Sequence, residues 1–127
     1  MEKDFDLWNI KKKEIHKQTS APFCYPREVW WCAIGANIGA ETDGKNDNFE
    51  RPVLIFRVYN KETFLALPIT SQEKKDIFHC AVKVKIGIVW VKLTQARVIS
   101  NRRLLRKVDV LSIGEFGKVQ KAFQNYI

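Results

Sequence analysis

The sequence predicts a mainly β domain with some α: a small, strongly bent antiparallel sheet or open barrel with a helix at each end. Three observations predict it. Val53–Phe56 and Phe64–Ile69 are apolar runs separated by Tyr59, Asn60, Lys61 and Glu62, so Arg51–Gln72 reads as a β-hairpin closed on a turn-forming Asn. Phe78–Lys85 alternates, with Phe78, Cys80, Val82 and Val84 on one face and His79, Ala81, Lys83 and Lys85 on the other. That is the period of a half-buried strand. The two ends of the chain instead carry apolar residues at helical spacing.

In chain order, Asp4–Gln18 is the first helix, capped by Asp4, with Phe5, Trp8, Ile15 and Leu7 sharing a side against Lys11–Lys13, Glu14 and Lys17. Trp8 would pack onto the domain, and the lysines form a solvated face. Arg27–Ile34 is an aromatic and β-branched strand whose adjacent Trp30 and Trp31 must point to opposite faces. One is core. The other stacks on a base, fills a subunit interface or lies partly under the first helix.

Gly35–Glu50 is long for a connection in so small a chain, and loops of that length are usually functional or disordered. Its glycines do not make a P-loop, because no Gly-Lys-Ser/Thr follows and the segment leads into a strand. Asp43, Asp47 and Glu50 read as loop solvation. After the hairpin come a charged turn at Glu73–Asp76, the alternating strand, a turn at Gly87, and strands Ile88–Leu93 and Ala96–Ile99. Asn101–Leu105 reads as a helical turn. Glu115–Tyr126 is the closing helix, with Phe116, Val119, Phe123 and Tyr126 as its core stripe.

A chain of 127 residues fits one domain, with Met1–Pro22 as a helical extension and residues 27–127 as the sheet core and closing helix. The net charge of +8 favours a polyanion, nucleic acid before an anionic membrane surface. Lys92, Arg97, Arg102, Arg103, Arg106 and Lys107 fall within sixteen residues that contain no acid, a phosphate-tracking surface or a solubilising edge. Three cysteines at no metal-ligand spacing support neither a disulfide framework nor a zinc site, which fits a reducing cytoplasm. No apolar run approaches the ~20 residues needed to span a bilayer, and the N-terminus lacks signal-peptide features.

The chemistry concentrates at the hairpin ends. Antiparallel pairing brings Arg51 beside Thr70, Ser71 and Gln72, placing a permanently charged planar donor fork next to hydroxyls. That combination suits a phosphate, against the plainer alternative of a solvated charge and a turn. The two histidines are unpromising as an acid–base pair: His16 belongs to the extension, and His79 is expected to be exposed beside Lys83 and Lys85.

Glu28-Val29-Trp30, Gly39-x-Glu41, Arg51-Pro52-Val53-Leu54-Ile55, Pro68-Ile69-Thr70-Ser71 and Gln95-x-Arg97-x-Ile99, in this order, resemble the PemK/MazF family, the toxins of bacterial toxin–antitoxin modules. The resemblance spans about residues 27–127. It implies an SH3-like β-barrel, a homodimer, a cognate antitoxin as partner and a cytoplasmic endoribonuclease acting on single-stranded RNA without metal or cofactor. In that reaction the 2′-hydroxyl attacks the adjacent phosphorus, leaving a 2′,3′-cyclic phosphate and a 5′-hydroxyl. Arg51 and Thr70 match the family's catalytic positions, the first for developing charge and the second for placing the phosphate. Glu28, Glu41, Ser71, Gln72, Lys92, Thr94, Gln95 and Arg97 match positions along the RNA path, with Glu28 and Glu41 equally suited to be structural hydrogen-bond acceptors.

One departure bears on mechanism. Thr94 stands where some members carry an acid, so the identity of the base stays open. Two rival readings follow: a catalytically weak RNA- or protein-binding module on the same fold, and a topoisomerase poison acting through the C-terminal helix. The Arg51 and Thr70 motifs argue against the second rival.

Overall fold

The computed structural model describes residues 2–127. Its elements are α1 (Phe5–His16), β1 (Glu28–Ala33), β2 (Glu50–Val58), β3 (Thr63–Thr70), β4 (His79–Val84), β5 (Gly87–Lys92), β6 (Arg97–Ser100), β7 (Leu104–Val110) and α2 (Ile113–Tyr126), with 3-10 turns at Leu93–Gln95 and Asn101–Arg103. The strands form one antiparallel sheet in the order β4-β5-β3-β2-β1-β7, with β6 on β3. Among the described residues no ladder returns from β7 to β4, so the sheet is not a closed barrel.

The hairpin at the centre forms as its sequence dictates. Asn60 Oδ1 accepts from the Glu62 and Thr63 N–H groups, closing the turn between β2 and β3. The free edge of β3 is then shared: Thr63–Ala66 pair with β6, and Ile69–Thr70 pair with β5. The 3-10 turn Leu93–Gln95 steps the chain from one partner strand to the other.

Both faces of the sheet are dry at its centre. One carries Val29, Leu54, Leu67, Ile69, Val82, Val89 and Val91, sealed by Phe116 and Val119 of α2. The other carries Trp30, Cys32, Val53, Ile55, Phe64, Ala66 and Ile99. Trp30 is thus the core tryptophan of the pair. Trp31, on the opposite face, is half-buried and lies under the Arg106 guanidinium, 5.0 Å from ring centroid to charge.

At the N-terminus, Asp4 Oδ1 accepts from the Leu7 N–H at 2.8 Å and caps α1, as its position in the sequence requires. Only part of the expected apolar side is used: Trp8 and Ile15 are buried, while Phe5 and Leu7 face solvent. Trp8 packs on Phe49 at 5.4 Å between centroids. It also covers Gly35, where an added Cβ would come within 2.3 Å of the indole and where φ is +92°.

Five further expectations change. Leu104–Val110 is an edge strand, not a continuation of the helical turn, which ends at Arg103. Its ladder to β1 is interrupted by bulges, so burial along it does not alternate. The α2 helix begins at Ile113, capped by Ser112, and Tyr126 on its expected core stripe is partly exposed. Phe78 precedes β4 and is exposed, its ring meeting Tyr126 edge-on. His79 is largely covered, with Nδ1 2.7 Å from Asp76 Oδ1.

Candidate functional site

The ladder that sets Val53 opposite Pro68 places Arg51 across from Thr70 when carried two residues further, and Thr70 in turn pairs with Trp90 of β5. Directly opposed residues of an antiparallel pair point to one face. Arg51, Thr70 and Trp90 therefore form a row across three strands, with Lys92 two residues along β5 on the same side. This is the face of Val53, Ile55, Phe64 and Ala66, at the end where the apolar cover stops. Arg97, opposite Ala66 on β6, also belongs to it.

The connection from β1 to β2 lies over this row and is tied down at several points. The Ile34 and Gly35 N–H groups both donate to the Phe49 carbonyl, and Gly44 N–H donates to the Gly35 carbonyl. Gly44 admits no side chain, since a Cβ there would lie 1.6 Å from the Phe49 oxygen. Asn37 Nδ2 donates to the Ile34 and Thr42 carbonyls.

Arg51 is half-buried and oriented by backbone: Nε donates to the Asp43 carbonyl at 2.7 Å and Nη1 to the Ile69 carbonyl at 3.2 Å. Burial pushes its pKa down, while the charge of Asp43 acts in the opposite sense. It remains a cation with donors to spare. Thr70 is 8% exposed, and its Oγ1 accepts from the Gln72 N–H at 3.2 Å, which leaves the hydroxyl proton free to donate. Ser71 and Gln72 follow, both exposed.

Lys92 Nζ reaches Thr42 Oγ1 at 3.4 Å. Its pKa is pushed down by burial and then by the positive charges of Arg51, Lys74 and Lys45. This is a cluster of like charges held together by the fold. Such a cluster is relieved by an anion.

Beside it, Asn37, Glu41, Thr42, Thr94, Gln95, Ala96 and Arg97 line a groove of about 500 Å³. Gln95 Oε1 accepts from the Thr42 N–H, fixing the amide so that its NH₂ remains available. Glu41 Oε1 accepts from the Ile38 N–H, and Arg97 Nη1 donates to the Ile34 carbonyl. Thr94 is exposed at the rim. The structure thus gathers Arg51, Thr70, Ser71, Gln72, Lys92, Thr94, Gln95, Arg97 and Glu41 around one end of the sheet.

Glu28 is the exception. It begins β1, while Arg51 pairs with Cys32 near that strand's other end. It is 8% exposed, and its two carboxylate oxygens are taken by Tyr25 N–H, Trp30 Nε1 and Lys107 Nζ. Burial would raise its pKa, but the hydrogen bonds from Trp30 and Tyr25 and the Lys107 charge outweigh it and hold the carboxyl below its usual value. The geometry makes it a buried brace, not a ligand-facing group.

Two acids of the connection are likewise more than solvation. Asp43 Oδ2 pairs with Lys3 at 2.9 Å, and Glu50, 8% exposed, pairs with Arg106 at 2.9 Å. Among the described residues, no three His, Cys, Asp or Glu side chains converge to hold a metal ion, and no helix is long and apolar enough to cross a membrane.

This architecture, a bent β sheet with a basic, loop-covered end, has counterparts among known proteins. Residues 25–127 match the family described as PemK-like, MazF-like toxin of type II toxin–antitoxin system, and the chain belongs to that family. Solved structures agree on the fold. MazF from Deinococcus radiodurans superposes with a TM-score of 0.62 at 16% identity, over 84% of this chain and 96% of that one. An endoribonuclease in complex with its cognate antitoxin, from a mycobacterial species, gives 0.60 at 15% identity over 83% and 93%. The MazE–MazF pair from Deinococcus radiodurans gives 0.59 at 14% identity over 84% and 95%. A search of curated protein sequences finds no match.

Proposed function

We propose that this protein is the endoribonuclease toxin of a toxin–antitoxin pair, cutting single-stranded RNA with Arg51 and Thr70 at the reacting phosphate. One observation carries the reading: Arg51, Thr70 and Lys92 lie on one face of three adjacent strands, with the Arg51 charge helping to lower the Lys92 pKa. Among the described residues no carboxylate forms an ion pair with either cation. Family membership and the endoribonuclease fold neighbours support it.

In the reaction, the 2′-hydroxyl gives up its proton as its oxygen bonds to phosphorus, and the P–O5′ bond breaks with a proton taken up by the departing O5′, giving a 2′,3′-cyclic phosphate and a 5′-hydroxyl. Negative charge grows on the non-bridging oxygens as the phosphorane-like state forms. The Arg51 fork, held by two carbonyls, meets that charge without reorganising, and preorganised donors of this kind are worth about 3–4 kcal/mol. The Thr70 hydroxyl donates a hydrogen bond to the same phosphate. Lys92 neutralises a neighbouring phosphate, and Glu41, Thr94, Gln95 and Arg97 line the groove that takes the flanking nucleotide. No metal is required for these roles. A homodimer and an antitoxin that covers the groove with an acidic segment complete the proposal, as does a single domain over residues 1–127, with residues 1–22 as a helical extension and residues 27–127 as the sheet core and closing helix.

The test is incubation of the protein with mixed-sequence single-stranded RNA in excess chelator, beside Arg51→Ala, with mass analysis of fragment ends. Cyclic-phosphate ends from the wild type alone are expected. A second reading, an RNA-binding module without turnover, is favoured by one feature: Thr94 presents a hydroxyl where a carboxylate could have served as base. Tight binding with intact RNA across several sequences, with and without divalent metal, would select it.

A further inference from the structure

The extension preceding residue 25 lies outside the family match, yet its third residue reaches the site. Lys3 Nζ donates to the Asn37 carbonyl at 2.5 Å and the Gly39 carbonyl at 2.8 Å, and pairs with Asp43 Oδ2 at 2.9 Å. An ammonium has three N–H donors, and each meets one oxygen of the β1–β2 connection. The Lys3 side chain is 19% exposed, far less than a free surface lysine. Placement of the extension does not depend on this lysine, because Trp8 and Ile15 are buried, Arg103 sits 5.8 Å from the Trp8 ring centroid, and Arg102 Nη1 donates to the His16 carbonyl at 2.6 Å.

Asp43 links the extension to the site. Its Oδ1 accepts from the Asn37 N–H at 2.6 Å, its Oδ2 pairs with Lys3, and its backbone carbonyl receives Arg51 Nε at 2.7 Å. A carboxylate without a counter-ion at this point would compete with an RNA phosphate for the Arg51 guanidinium.

We infer that Lys3 is a positioning residue for Arg51: by occupying the Asp43 carboxylate and two carbonyls of the same loop, it keeps the guanidinium on backbone oxygens with its remaining donors turned to the substrate. The inference rests on the ribonuclease reading for its consequence, but not for its geometry. The N-terminal extension is then a working part of the site.

Two measurements test it. In steady-state cleavage of a short RNA, Lys3→Met should lower kcat about tenfold with KM changed less than twofold, since an oriented Arg51 acts chiefly on the transition state. Adding Asp43→Asn to that variant should restore most of the rate by removing the competing charge, and Lys3→Arg should be intermediate. A rise in KM with kcat unchanged would make Lys3 an RNA ligand and overturn the inference. So would a double variant no better than Lys3→Met. The second measurement needs no RNA: the Arg51 Nε–H resonance, observed by NMR, should move in Lys3→Met as its acceptor changes from carbonyl to carboxylate, and return toward the wild-type position when Asp43→Asn is added. An unchanged Nε–H resonance would overturn the inference even in an active enzyme, whereas intact RNA with the expected shift would count against the ribonuclease reading alone.

Discussion

The two ends of β1 hold their charged residues in opposite ways. At the start of the strand, Glu28 is buried and saturated, its carboxylate taken by an indole N–H, a backbone N–H and the Lys107 ammonium. At the other end, Arg51 and Lys92 sit partly buried among further cations, with pKa values pushed down and donors unspent. A charge whose bonds are all satisfied within the protein stabilises the fold and has nothing left for a ligand. Like charges concentrated without partners cost stability and await an anion. Both positions match the same family motif set, and only the geometry separates brace from site.

Four measurements would break or sharpen that contrast. The largest effect is at the cation end: Arg51→Ala should cut RNA cleavage by about 10²–10³-fold, the scale of one missing preorganised donor. Circular dichroism should show an unchanged fold. At the brace end, Glu28→Ala leaves the buried Trp30 Nε1–H without its acceptor and should cost about 2 kcal/mol of stability in denaturant unfolding. The cleavage rate of the folded fraction should not move. A large drop in rate with intact stability would instead return Glu28 to the RNA path.

Smaller effects follow from titration and salt. Lys92→Met should reduce the slope of log K for RNA against log salt by about one, the change expected when one phosphate is no longer neutralised. Because folding lowers the Lys92 pKa, the wild type should release that phosphate as pH rises through the lowered value, short of the ordinary lysine pKa of about 10.4. Lys92→Arg should hold it across that window. The least effect belongs to Glu28→Gln. The folded-state pKa of Glu28 is depressed, so its carboxylate contributes stability that is present above the unfolded pKa of about 4.3 and lost as pH falls through the folded value. The variant should flatten the acid limb of the stability curve, read as the difference in unfolding midpoint between about pH 7 and about pH 3.

The hairpin, the alternation of β4 and the cap of α1 were legible because each is local: an Asn turn, a period of two and an Asp at the helix N-cap. The Arg51–Thr70 pairing was legible for the same reason, since a hairpin puts its own ends together. β7 was hidden because its apolar positions are not periodic: bulges against β1 leave Leu104 buried while Arg106, Lys107 and Val108 in succession are exposed. For Glu28 the choice between RNA contact and structural acceptor was not legible, because a motif position carries no information on whether the side chain's bonds are already taken. Lys3 and Asp43 lay beyond any sequence signal, far apart in the chain and joined only by how α1 docks. That docking turns on Trp8 entering the space left by Gly35.

The three cysteines give these regions separate clocks. Cys32 lies opposite Arg51 in the core beside the cation row, Cys24 lies in the same core toward Glu28 and the β2–β3 turn, and Cys80 lies in the core covered by α2. All three thiols are buried and free, with burial pushing Cys24 up to about 11 and Cys32 up to about 12. Thiolate is the reactive form, so alkylation of the native protein near neutral pH waits on local opening. Single-cysteine versions would time the breathing of each side of the sheet independently, and nucleotide bound at the basic end should slow the Cys32 clock while leaving that of Cys80 running.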